Sequence, residues 1–313
     1  MNLLEAMRYL AALEQHRHFG RAALACHITQ PALSNAVRAL EVEFGVTIVR
    51  RGRQYEGLTP EGARVLETAH RMLHDRETLR QELRGLEGEP QGRLSIGAVP
   101  TATPIASRFA AWLQARHVGL VPVVRSLSSA EIESGIDKLS LDLAFGYGEH
   151  AAERGAHVEV LAQYVEHYFL LRRARGASRS RRIGATLTWQ AAAALPLCML
   201  TPEMHNRSII DASFAAAGAA VQPAIETSSV LTLVLSVLAG EVCSVLPGAL
   251  VAIALQYSEL EALPLIEPQV LTPIGMLISS STRQSLAQKA AFALARDPEW
   301  LAHASAHSGP LLS

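Results

Sequence analysis

The chain has 313 residues, of which 49% are hydrophobic and 18% charged, and its formal net charge is −1. At roughly 100–200 residues per domain this predicts two or three compact units, and the composition excludes a collagenous, disordered or disulfide-stapled protein. The near-neutral total hides an asymmetry: residues 1–55 carry seven arginines against four glutamates, a net +3 that predicts a basic surface at the N-terminal end.

The first stretch, with Leu3, Ala6, Met7, Leu10 and Leu13 three or four residues apart, predicts an amphipathic helix. Its acids, and the lack of a basic segment leading to a cleavage site, argue against a signal peptide and for a cytoplasmic protein. A small-residue helix follows over 20–26. Thr29 is then a good N-cap, and Pro31 sits in a first helical turn, where its missing N–H is harmless. Leu33, Val37 and Leu40 form one buried stripe of that helix. Gln30, Ser34, Asn35 and Arg38 are left on its other faces, which is what a helix entering the major groove requires: short polar or forked side chains near its N-terminus. Gly45 ends the helix. The segments 46–49 and 50–58 read as two short strands around a basic loop, a wing whose Arg50, Arg51 and Arg53 suit phosphate or minor-groove contact. A small helical bundle with a solvated basic loop is the competing reading.

Thr59 and Pro60 open a long helix, in which Val65, Ala69, Met72, Arg76, Leu79, Leu83 and Leu86 recur at alternating spacings of four and three. Such a seam predicts a dimer, with an ordinary amphipathic helix lying on its own domain as the alternative. Gly85, Gly88, Pro90 and Gly92 mark a linker.

The order ALEQHRHFGRAALACHITQPALSNAVRALEVEFGVTIVRR, followed by LTPEGARVL, resembles the LysR-type transcriptional regulators. The likeness covers nearly the whole chain. It implies an α/β protein with an N-terminal winged helix-turn-helix (1–58), a linker helix (59–89) and a regulatory domain (90–313). That last part would resemble periplasmic binding proteins, with one subdomain near 90–161 and 268–313 and a second near 162–267. It implies sequence-specific binding of double-stranded operator DNA by Thr29, Gln30, Pro31, Ser34, Asn35, Arg38, Arg50, Arg51 and Arg53. It also implies a small-molecule effector, self-association as a dimer or tetramer, and RNA polymerase as a candidate partner. Val49 stands where the family has phenylalanine, and Asn35 where it often has arginine; the second departure bears on the preferred DNA sequence.

Beyond Gly92 strands alternate with helices, predicting parallel sheets. Strands are expected over 93–99, 120–125, 141–145, 168–171, 197–200, 224–226, 242–246 and 273–279. Helices are expected over 105–116, 130–138, 205–217, 229–239 and 283–296. In such sheets ligands bind beyond the carboxyl ends of strands, at helix N-termini. The turns there supply Pro100, Thr101, Ala102 and Thr103, then Ser128, Phe145 and Tyr147, and finally Met204, His205, Asn206, Arg207 and Thr227. Each hydroxyl among them serves equally well as a helix cap, and Arg207 is spaced to pair with Asp211. The family resemblance places the effector between the two subdomains. The runs VPTAT (99–103) and LSSAEIE (127–133) look similar to regulators of cyanate and formate metabolism, which implies a very small anion.

Three cysteines, Cys26, Cys198 and Cys243, lack metal-ligand spacing and read as buried thiols, with a Cys198–Cys243 redox pair as the alternative. The apolar run 230–255 is broken by Gly240, Glu241, Pro247 and Gly248, so it reads as helix, strand and helix in a core rather than a membrane span. A loose GxGxxA pattern over 146–151 lacks a following helix, and no nucleophile elbow, zinc-protease or P-loop motif occurs. The expectation is therefore a non-enzyme without cofactor, metal or membrane partner. A solute-binding protein is the competing class.

Overall fold

The computed structural model describes residues 2–51, 55–84, 89–148, 158–174, 183–280 and 284–308. The chain divides into two compact units, one of residues 1–87 with 138–140, the other of residues 88–137 and 141–313.

The first unit begins with three helices, α1 (Leu3–His16), α2 (Phe19–Ala25) and α3 (Gln30–Phe44). A wing of β1 (Val49–Arg51) and β2 (Tyr55–Leu58) follows, then a long helix α4 (Pro60–Arg84). Ala6, Met7, Leu10 and Leu13 of α1 close over Ala22, Ala23, Leu33, Val37 and Leu40, with Ile48 and Val49 beneath them. Each helix end has a local cause. The Asn2 side chain caps α1, the His18 ring caps α2 through Nδ1, and Thr29 caps α3 by accepting from Ala32 N at 3.3 Å. Gly45 ends α3 at φ +65°, where a side chain would be strained. The Glu41 carboxylate then accepts from the backbone N–H groups of Ile48 and Val49 at 3.0 and 3.3 Å, tying the end of α3 to the wing.

Helix α4 starts against this core. Thr59 Oγ1 accepts from Gly62 N at 2.9 Å and donates to the Thr47 carbonyl. A Cβ at position 62 would lie 2.1 Å from the Ile48 carbonyl oxygen, so only glycine permits that approach. Leu66 and Ala69 are buried and Val65 packs beside them, whereas Met72, Leu79 and Leu83 are exposed. Arg76, the polar member of the seam, reaches Glu5 of α1 at 3.6 Å. Leu86 lies outside the described residues.

In the second unit β3 (Gly92–Ala98) pairs in parallel with β4 (Leu120–Ser126) and β5 (Leu143–Gly146), joined by α5 (Thr103–Arg116) and α6 (Ser129–Asp137). The chain then runs along one 16-residue strand, β6 (Val158–Arg173). The first half of β6 pairs antiparallel with β12 (Leu271–Ser279), and its second half with β10 (Ser244–Pro247) and β11 (Leu260–Ile266). Strand β12 also pairs antiparallel with β5, closing the first half of the unit.

Between β6 and β12 the chain forms β7 (Leu187–Thr188), α7 (Trp189–Ala193), β8 (Cys198–Leu200), α8 (His205–Ala216), β9 (Ile225–Thr227), α9 (Val230–Ala239) and α10 (Gly248–Ala254), besides β10 and β11. The expected parallel pairing thus holds for β4-β3-β5, for β8 with β9 and for β7 with β11. Strands β10, β11 and β12 instead pair antiparallel with β6, and β12 with β5. Helices α11 (Leu286–Ala295) and α12 (Pro298–Ala306) pack back on the first half. Trp300 is fully buried there, edge-on to Phe109 at 5.1 Å, with its Nε1 donating to Gln163 Oε1 at 2.9 Å. The segments β7, α7, β11 and α12 are additions to the sequence reading, and β6 extends well beyond the four residues expected of it. All three cysteines are buried thiols, and burial pushes Cys198 up, away from the thiolate. Among the described residues no helix is long and apolar enough to cross a membrane, and no metal-binding cluster occurs.

Candidate functional site

Two regions gather the residues singled out in the sequence. On α3, Leu33, Val37 and Leu40 face the core, so Gln30, Pro31, Asn35 and Arg38 are exposed and Ser34 is half-buried. Thr29 is exposed at the helix start, its hydroxyl engaged in the cap. Arg50 is exposed on β1, whose Val49 and Arg51 pair with Leu58 and Tyr55. Arg53 and the side chain of Arg51 lie outside the described residues. The Tyr55 hydroxyl donates to Glu14 of α1, and burial together with this bond raises the phenol, so the wing base is fixed to the helical core. The result is a polar helix face and an arginine-bearing strand carried by one rigid core.

In the second unit a cleft of about 910 Å³ separates the two halves that share β6. Pro100, Thr103 and Ser128 line one wall and Met204 the other. The Ser128 hydroxyl is already engaged: it donates to Glu131 Oε2 at 2.9 Å and accepts from Glu131 N at 3.3 Å, a capping box for α6. Thr227 is likewise a local cap, accepting from Ser229 N at 3.1 Å.

Below this surface lies a polar layer. Thr101 and Ala102 are fully buried, and Thr101 Oγ1 meets Tyr147 Oη at 3.1 Å. Asn206 donates to Tyr168 Oη at 3.4 Å, and Tyr168 Oη meets Thr272 Oγ1 at 3.1 Å. The His205 ring packs against Tyr147, tilted by 57° with centroids 4.7 Å apart, beside a second cavity of about 390 Å³ that Thr272 also lines.

Glu166 sits at the centre of this layer and was not anticipated. It is 0% exposed, and although Thr101 and Tyr168 face it, neither carboxyl oxygen receives a hydrogen bond of good geometry from the described residues. Burial, the dominant cause, pushes its pKa up to about 8, so at neutral pH it is mostly an uncharged acid. Burial, reinforced by the nearby carboxyl, also holds the Tyr164 and Tyr168 phenols well above their usual range. The signal was there to read: residues 164, 166 and 168 alternate along one strand, and the two flanking positions are buried tyrosines.

Two expected ligand contacts are placed elsewhere. Phe145 is fully buried and packs edge-on to Phe109 at 5.2 Å, because all four residues of β5 are interior. Arg207 is 8% exposed. Its Nε donates to Asp211 at 2.9 Å and its Nη1 to Glu226 and the Leu200 carbonyl at 2.7 Å each, so structural partners hold it, and it lines neither cavity. The cation that does line the cleft is Arg108, in the second turn of α5.

The model described as the LysR substrate binding domain matches residues 87–298, and that described as bacterial regulatory helix-turn-helix protein, lysR family, matches residues 4–63. The SDS degradation transcriptional activation protein of a Pseudomonas species is 41% identical over 100 residues, which is 32% of this chain and 33% of that one. The hydrogen peroxide-inducible genes activator of Dickeya chrysanthemi is 40% identical over 105 residues, 33% of this chain and 34% of that one. The matched stretch is thus about a third of these relatives' length.

A cysteine variant of full-length OxyR from Pseudomonas aeruginosa superposes with a TM-score of 0.67 at 22% identity, covering 97% of this chain and 94% of that one. Full-length CbnR complexed with its target DNA gives a TM-score of 0.63 at 19% identity, covering 96% and 99%. At these identities the likeness establishes the fold. The relatives named here are peroxide- and detergent-response activators, which gives the cyanate and formate resemblance no support. With one family model spanning the larger unit and another the helix-turn-helix, the chain belongs to the LysR family.

Proposed function

We propose that the protein is a DNA-binding transcriptional regulator, not an enzyme, whose output is set by a small molecule seated between the two halves of its larger unit. The observation that carries this reading is the exposed face of α3. Gln30, Asn35 and Arg38 stand free of the core while Leu33, Val37 and Leu40 anchor the helix. A face of short amide and guanidinium groups reads base edges, and an adjacent arginine strand holds phosphates. Operator DNA is then the first partner. The second is another copy of the chain along α4, with a tetramer built from such dimers. The effector would enter the cleft lined by Pro100, Thr103, Ser128 and Met204, above the buried Thr101, Tyr147, Asn206 and Glu166. A solute-binding role is disfavoured by the family assignment of residues 4–63 to a regulatory helix-turn-helix.

The names of the relatives do not carry over a signal. In this chain Cys26 and Cys198 are both pushed up by burial, which disfavours a reactive thiolate.

The test is fluorescence anisotropy with the upstream DNA of the protein's own gene and with random duplex. Arg50→Ala should weaken binding to both and reduce the salt slope by about one unit, as expected for one lost phosphate contact. Asn35→Ala should cost about 1–3 kcal/mol on the specific duplex and little on the random one. Equal losses on the two duplexes for Asn35→Ala would remove α3 from base reading.

A further inference from the structure

The two walls of the 910 Å³ cleft are chemically unlike. One side presents the hydroxyl of Ser107 and the guanidinium of Arg108, both on α5, beside Thr103, whose hydroxyl donates to the Val99 carbonyl at 3.3 Å. The facing side is mostly apolar, with Leu231 and Val234 of α9 and Ile253 of α10, besides Ser228 and Ser229, the latter capping α9. Val234 belongs to the core, but the other two do not: Leu231 is 62% exposed and Ile253 49%, whereas Leu233 and Val251 on the same helices are buried. Exposed aliphatic surface inside a concavity gains from being covered.

The polar wall is incomplete in a complementary way. Arg108 is half-buried, and among the described residues no hydrogen bond or ion pair involves it. The carboxylate that also lines the cleft, Glu131, is engaged by the Ser128 N–H and hydroxyl at 2.8 and 2.9 Å. A guanidinium fork offers paired donors that match a carboxylate or sulfate, and partial burial makes such a partner more valuable than water. Size argues against a three-atom anion, which occupies little more than one water's share of about 30 Å³ and would leave the apolar wall wet.

Resting on the effector reading above, we propose that the cleft takes an amphiphilic organic anion. Its acidic head is held by Arg108 and the adjacent Ser107 hydroxyl of α5, and its apolar body lies against α9 and α10.

The experiment is isothermal titration calorimetry of the full chain with sodium octanoate below micelle-forming concentrations, with acetate and formate as head-only probes and 1-octanol as the tail-only probe. Each buried CH₂ is worth about fourfold in affinity, so covering half of the six additional methylenes makes octanoate about fifty-fold tighter than acetate. Arg108→Ala should weaken octanoate at least about tenfold, the scale of a lost charge-assisted bond, and leave 1-octanol unchanged, while Arg108→Lys recovers part of the loss. The proposal is overturned if octanoate does not bind, if acetate or formate binds as tightly as octanoate, if 1-octanol equals octanoate, or if Arg108→Ala binds octanoate like the parent protein. DNA binding by the same ligand-free preparation is measured in parallel. Its loss would overturn the regulator reading, whereas its presence with any of the failing titrations would overturn only the ligand class.

Discussion

The buried acid at the centre of the larger unit makes a quantitative prediction about stability and pH. Glu166 ionises near 4.5 in an unfolded chain and near 8 in the folded one, chiefly because burial strips water from the carboxylate. The folded state therefore holds the proton more tightly, and stability falls as pH rises from about 4.5 to about 8, then levels off. At 1.36 kcal/mol per unit the loss is about 3 kcal/mol by pH 7 and about 5 kcal/mol at full ionisation. Glu166→Gln, neutral throughout, removes that dependence. The difference in unfolding free energy, variant minus parent, should be small at pH 4.5 and grow in the variant's favour to pH 8. For a unit of this size 1 kcal/mol corresponds to about 2–4 °C, so calorimetry of the full chain should show a gap of about 6–12 °C at pH 7 beyond that at pH 4.5. Because every other ionisable group is common to both proteins, their contributions cancel. A difference that stays constant across this range would refute the reasoning: Glu166 would then have found a partner or water in solution.

Three further outcomes follow from the smaller unit. Gly62→Ala should destabilise it by about 1–3 kcal/mol despite the better helix former, because the new methyl meets the Ile48 carbonyl at 2.1 Å and α4 must move away; an unchanged thermal midpoint would show that the approach is looser than described. Glu41→Ala leaves the Ile48 and Val49 N–H groups without their acceptor and should cost about 2 kcal/mol, with Glu41→Gln recovering most of it, as read by urea denaturation. Leu79→Glu together with Leu83→Glu changes two residues that are 53% and 58% exposed, so each chain should fold normally. Sedimentation should nonetheless show a smaller assembly than the parent's, and an unchanged mass would place the association surface away from α4.

The helix-turn-helix was legible because its signals are local. Thr29, Pro31 and the Leu33, Val37, Leu40 stripe each act within one or two turns, and the structure starts α3 at Gln30 and ends it at Phe44, before Gly45. The larger unit was legible where a full strand led directly into a helix, as at β3 and α5, but not at the two-residue β7 ahead of α7. It was less so along β6, because only its interior end is a continuous apolar run; its first half alternates with Glu159 and Gln163 and depends on β12, more than a hundred residues later, for its partner. Helix α12 carried a readable start in Asp297 and Pro298 that went unused.

The candidate ligand contacts divide in the same way. Cap-forming hydroxyls such as Ser128 and Thr227 could be found, but which of them remain available to a ligand depends on their hydrogen-bond partners. Arg207 and Arg108 show the difficulty most clearly. The residue in the expected turn is held by Asp211 and Glu226, and the cation that faces the cleft lies within a helix, where only the packing of distant segments brings it to the wall.

One strand ties three interiors together. Tyr164 belongs to the core of the first half, Phe169 and Leu171 to one core of the second, and Tyr168 and Leu170 to another, all on β6. The strand already takes one irregularity, at Gln163, where the pairing with β12 skips a residue; a further single-residue insertion or deletion near position 166 would turn the downstream side chains to the opposite face. Relatives that share this architecture should therefore vary in length almost anywhere before they vary inside this strand, and a chimaera that exchanges the two halves should keep its junction out of it.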